Sequence, residues 1–108
     1  MAFDDGLAQR VADVLHALGE GSARQKNVFG GRGFLRGKKT FLIVWDDGLI
    51  VKSPKGEYRS ALKLRGVTAF APDEEKPMST WVVVAATEIA EDPELREWIR
   101  RGLRSLDA

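Results

Sequence analysis

A hairpin signal in the middle of the chain limits its possible folds more than any other feature. Residues 39–45 read KTFLIVW and residues 49–52 read LIVK, with Asp46-Asp47-Gly48 between them. Asp-Gly is a strong two-residue turn signal because both residues tolerate positive φ, so Asp47-Gly48 is expected to form the turn. That register sets Trp45 opposite Ile50 and Val44 opposite Val51. Cross-strand partners share a face and successive residues alternate, so one pair points up and the other down. A strand pair that is apolar on both faces belongs at the centre of a sheet and needs cover on each side. Helices can supply one cover. The second is expected from a wrapping terminal helix or from another copy of the chain.

At 108 residues there is room for one such sheet and one core, hence a single domain over 1–108. A chain of this size buries roughly 60–70% of its unfolded surface and folds without staples. Apolar residues at 44% and charged residues at 31% exclude a disordered composition. Cysteine is absent and His16 is the only histidine, which removes disulfides, thiol catalysis and the usual zinc ligand sets. The net charge of +1 means that a polyanionic partner would have to be attracted by a local patch. The first ten residues hold two aspartates where a signal peptide needs positive charge. The apolar runs Phe41–Trp45 and Trp81–Ala86 fall far short of the ~20 residues that span a bilayer. A soluble, cytoplasmic protein with no membrane association and no cofactor is expected.

The remaining elements follow from periodicity and caps. Leu7, Val11, Val14, Leu15 and Leu18 keep helical spacing, with Phe3 one turn earlier, Asp4 or Asp5 as cap and Gly19 past the end. His16 projects away from that stripe, as a solvent-facing histidine would. Glu20–Ala23 is a loop, and Arg36-Gly37-Lys38 turns the chain into the strand Lys39–Trp45. Glu57–Leu64 reads as a short helix ended by Gly66, and Val67–Ala71 and Met78–Ala86 as strands. Between those strands Pro72–Pro77 carries Asp73, Glu74 and Glu75, an acidic exposed loop. In the last helix Asp92 is the cap and Pro93 the first residue, with Leu95, Trp98, Ile99, Leu103 and Leu106 as the buried stripe. Arg100, Arg101 and Arg104 near its end complement the helix dipole. They form either a solvated face or a phosphate site. The resulting order is α-β-β-β-α-β-β-α, an α+β fold with a mainly antiparallel five-stranded sheet.

Candidate interaction residues concentrate in one run. From position 24 to 39 there are six cations (Arg24, Lys26, Arg32, Arg36, Lys38 and Lys39) and no acid. On a regular strand Arg32, Phe34 and Arg36 would project to one side. That places an aromatic between two guanidiniums, a stacking and phosphate platform for nucleic acid. The competing reading pairs Phe34 with Phe41 in the core and leaves the cations as solubilising edge residues. Gly31-Arg32-Gly33-Phe34-Leu35-Arg36 lacks the last glycine of the dinucleotide fingerprint and precedes a strand, not a helix. Asp46 and Asp47 are adjacent for conformational reasons, and the acids of the 72–77 loop lack calcium-loop spacing. No catalytic set is present, so a non-enzymatic protein is expected.

Phe29-Gly30-Gly31 after the first helix, the Asp-Gly hairpin, Lys76-Pro77-Met78 at the entry to the last strand and the closing Asp-Pro-Glu-Leu…Trp helix together resemble the TfoX N-terminal domain over nearly the whole chain. The resemblance implies a fold grouped with secretion-chaperone-like domains and an association with regulators of DNA-uptake competence. It transfers no catalytic residue. Full-length competence regulators carry a second helical domain that does not follow here, and the paired aromatics often found in the last strand are replaced by Trp81-Val82. The function implied is a regulatory or protein-interaction domain that binds a protein partner or itself. The alternative is a weak nucleic-acid binder that uses the basic segment 24–39.

Overall fold

The structure is a computed structural model that describes residues 4–28, 30–71 and 80–107. Six strands form one antiparallel sheet: β1 (Arg24–Val28), β2 (Gly31–Arg36), β3 (Lys39–Trp45), β4 (Gly48–Lys52), β5 (Val67–Ala69) and β6 (Trp81–Ala85). Their spatial order is β1-β2-β3-β4-β6-β5. Helices α1 (Asp5–Ala17) and α3 (Asp92–Asp107) lie on one face, and α3 packs on β3, β4 and α1. A 3₁₀ turn (Lys55–Glu57) and a one-turn helix, α2 (Tyr58–Ala61), replace the longer helix expected over Glu57–Leu64.

The α+β class and the antiparallel sheet are as the sequence implies, but the sheet has six strands, not five. The additional strand is β1, whose sequence RQKNV carries no apolar alternation. Arg24, Gln25, Lys26 and Asn27 are all exposed. A strand that faces water on both sides gives no period-two signal, which is why periodicity misses it. The last two strands are shorter than read, β5 ending at Ala69 and β6 starting at Trp81, and α3 begins at Asp92 itself. Phe3 and the acidic loop of residues 72–77 lie outside the described residues.

The central hairpin forms in a register shifted by two residues. Trp45 pairs with Gly48, Val44 with Leu49, Ile43 with Ile50 and Leu42 with Val51, so the turn is Asp46-Asp47. Gly48 is required for another reason. It has φ +141°, and a Cβ there would collide with the Val84 carbonyl of β6. The Asp47 carbonyl accepts from the Ala86 N–H at 3.0 Å. The glycine therefore serves the approach of β6 instead of the turn. Because side chains alternate with period two, a shift of two leaves every residue on the face the sequence assigned it.

Both faces of the sheet centre are accordingly apolar. Leu42, Val44, Leu49, Val51, Val82 and Val84 point towards the helices and are each 0% exposed. Ile43, Ile50 and Val83 form a cross-strand row on the other face. Ile43 is 3% and Ile50 2% exposed in the single chain, while Val83 and the flanking Trp45 and Trp81 are half-buried. The centre of that second face is thus closed without a further copy.

One bulge sets the position of α3. Phe34 pairs with Leu42 but Leu35 pairs with Thr40, which leaves Phe41 unmatched. Strict alternation would send Phe41 to the face of Ile43. The extra residue turns it instead into the helix-side core, at 0% exposure. Gly102 of α3 lies directly above it, where an added Cβ would stand 2.9 Å from the Phe41 carbonyl oxygen and 3.1 Å from its ring. A mid-helix glycine costs about 1 kcal/mol in propensity, and here it permits the close approach. At the other end of α3, Arg10 of α1 donates to the carbonyls of Ile89 and Ala90 and to Asp92 Oδ1 at 2.9–3.2 Å. The α1 N-terminus is capped as expected, with Asp4 Oδ1 accepting from the Leu7 N–H at 3.0 Å.

Gly102→Val is expected to lower stability by more than about 2 kcal/mol through overpacking against Phe41, measured by urea unfolding. Arg100→Val, on the exposed side of the same helix, should cost less than about 1 kcal/mol. Equal losses would show that α3 does not rest on the bulge.

Candidate interaction surface

The basic run divides between the two faces of the sheet. β1 pairs with β2 as Arg24 with Leu35, Lys26 with Gly33 and Val28 with Gly31. Arg24 and Lys26 therefore share the face turned away from the helices, while Gln25 and Asn27 point to the helix side. Gly33 allows this corner to close, since a Cβ there would lie 2.6 Å from Val28 Cγ2. Lys38, in the β2–β3 turn, reaches the same corner. Together with Gln25 and Gly37, the cations Arg24, Lys26 and Lys38 line an open cleft of about 220 Å³ over the buried Leu35. Lys39, exposed at the start of β3, is paired with Arg36 across the strands and does not line the cleft.

The platform of Arg32, Phe34 and Arg36 is not assembled. These three share the side of β2 that the helices cover. Phe34 is 1% exposed within the core, opposite Leu42 and next to the Phe41 bulge, so it offers no ring for stacking. Arg36 is engaged by the Asp107 carboxylate at 2.7 Å and by Glu20 at 3.6 Å. It ties β2 to the end of α3 and to the loop after α1. Arg32 is half-buried opposite Val44. Of the resemblance motifs, Gly30 has φ +79° and Gly31 is buried where β2 begins. Phe29, Lys76, Pro77 and Met78 lie outside the described residues. Among the described residues no three acidic or histidine side chains converge as metal ligands would.

The arginines of α3 are organised by a residue that sequence reading passed over. Glu57, in the 3₁₀ turn, accepts from Arg104 Nη2 at 2.9 Å and lies 3.3 Å from Arg101 Nε. The second approach is an ion pair without hydrogen-bond alignment, and Arg101 Nε and Nη1 are buried with no acceptor among the described residues. The Arg101 guanidinium also sits 4.5 Å from the Trp98 ring centroid, a cation–π distance. Among the described residues Arg100, unlike Arg101 and Arg104, is exposed without an ion pair or ring contact. Glu57 is 47 residues from Arg104 in sequence, so no local spacing could reveal it.

The hydrogen bond from Arg104 holds the Glu57 carboxyl below its ordinary pKa, against the effect of partial burial and with help from the charges of Arg104 and Arg101. A depressed folded-state pKa adds stability above the unfolded value that is lost as pH falls through the folded one. Glu57→Gln should therefore be slightly less stable than the wild type near neutral pH, and the two should converge in strong acid. Urea midpoints measured across that range check this. A gap that persists in acid would assign the effect to packing.

Comparison with known protein families places the model of the TfoX N-terminal domain on residues 13–106. Neither curated proteins nor solved structures yield a match. The matched span runs from α1 through α3 and takes in the whole sheet and the basic corner. The chain belongs to the TfoX N-terminal domain family.

Proposed function

We propose that this chain is a non-enzymatic, regulatory protein-interaction domain acting in the cytoplasm. One observation carries this reading. On the helix side Arg36, Arg10 and Arg104 are paired with Asp107, Asp92 and Glu57. Arg24, Lys26 and Lys38 instead converge on an open sheet edge. A closed core with one charged, uncovered edge suits a domain that docks on a partner. Family membership supports a regulatory setting, with DNA-uptake competence or transcription as the process and another protein or a second copy as the partner.

A second reading is favoured by the same three cations, with no acid between positions 24 and 39: weak, sequence-tolerant nucleic-acid binding. The buried Phe34 argues against a stacking mode, which leaves phosphate contacts alone.

Light scattering at micromolar concentration and capture with the immobilised intact chain test the first reading. A defined dimer or a captured protein is the expected result, and a monomer that captures nothing would overturn it. Titrating labelled single and double strands at two salt levels tests the second. Contact with three phosphates of a duplex gives a log–log salt slope near about −3, at roughly −0.9 per phosphate. Unmeasurable binding at low salt would reject it.

A further inference from the structure

We propose that the outer edge of β1 is the docking site, and that its occupant is an acidic segment of a partner protein that adds to the sheet as an extended strand. This deepens the interaction reading above and rests on it.

β1 is the terminal strand of the sheet and pairs only with β2 among the described residues. Its five residues run in unbroken register, without bulge or proline. Arg24 to Asn27 are exposed whichever face they point to, and no other described strand pairs with the outer edge of β1. The outward N–H and C=O groups of such a strand are a template for another strand.

Charge selects the occupant. Arg24 and Lys26 are two apart on one face, and Lys38 stands across the cleft whose floor is Leu35. An incoming strand that alternates acidic and apolar residues would set its carboxylates over Arg24 and Lys26. Its backbone would lie along β1. On the opposite face Gln25 and Asn27 present neutral amides, which discriminate little.

The same charges disfavour a second copy of the chain. A two-fold pairing of β1 with itself that continues the sheet must match residues of one face. The register of full overlap sets Lys26 against Lys26, and of the two three-residue registers one sets Arg24 against Lys26 while the other matches Lys26 with Val28. Like charges directly opposite destabilise a pair. Full-length self-pairing of the basic edge is thus disfavoured, while the edge stays open to an acidic strand.

The test uses two probe peptides of equal charge, one alternating Glu with Val and one alternating Glu with Pro in which every glutamate amide is N-methylated. The second cannot donate a backbone ladder. Fluorescence anisotropy of each is measured with the intact protein and with the Arg24→Glu/Lys26→Glu double variant, and hydrogen exchange is followed over residues 24–28. The Glu–Val peptide is expected to bind at least tenfold more tightly than the Glu–Pro peptide. The double variant should lose at least tenfold, and new amide protection should appear within Arg24–Val28. Thermal melts of the double variant should match the wild type, since both positions are exposed.

Absence of Glu–Val binding, equal binding of both peptides, binding unchanged by charge reversal, or protection confined to other strands would overturn the proposal. Tight oligonucleotide binding without Glu–Val binding would assign the cations to phosphates and overturn it too. A cellular partner captured equally by the wild type and the double variant would leave the interaction-domain reading standing and remove the β1 edge from it.

Discussion

The seat of α3 on the β3 bulge governs the rest of the molecule. Phe41 can join the helix-side core only because an extra residue interrupts the β2–β3 ladder. α3 can lie over it only because residue 102 has no side chain. That contact brings Leu95, Trp98 and Ile99 onto the sheet and carries the C-terminal end of α3 to Arg36. It also brings Arg101 and Arg104 within reach of Glu57. Burying a Leu or Ile side chain contributes roughly 1.5–3 kcal/mol, so the apolar seat outweighs any of the surface ion pairs that ornament it.

From that seat the distribution of charge follows. Arg36, on the helix side, meets Asp107 of α3 and Glu20 of the α1–β1 loop and becomes a fastener. Cations on the far side of β1 meet none of these groups, and they define the candidate surface. The division depends on register. β1 and β2 pair so that an even-numbered residue faces an odd-numbered one, as in Arg24 with Leu35. Arg24 and Lys26 therefore lie on the opposite face from Arg32 and Arg36, although all four positions are even. One contiguous basic run in sequence thus becomes two unrelated sets in space.

Much of this was legible without coordinates, and the misses have physical causes. Apolar spacing locates Leu7, Val11 and Leu15 on one helix and Leu95, Trp98 and Ile99 on another, because amphipathic helices announce their buried stripe. Both faces of the β3–β4 pair read correctly although the register was off by two, since a slip of two preserves facing. Gly48 misled because it answers to Val84 on a distant strand. β1 stayed hidden because an uncovered edge strand has no face to pattern. Arg32, Phe34 and Arg36 looked like a platform because alternation groups them, while only tertiary structure reveals that helices cover that side. Glu57 and Gly102 are set by long-range contacts that leave no local trace.

A sealed, two-faced sheet that leaves one basic edge unpaired makes a sharp claim about the free protein, and native-state amide hydrogen exchange reads it residue by residue. The slowest amides should fall in Leu42–Val44 and Leu49–Val51, exchanging only with global unfolding. Along Arg24–Val28, protection should alternate, with amides bonded to β2 slowed and their outward-facing neighbours exchanging freely. Uniform protection through all five residues of β1 in the isolated chain would mean that the edge is already occupied, and would contradict the structure as interpreted.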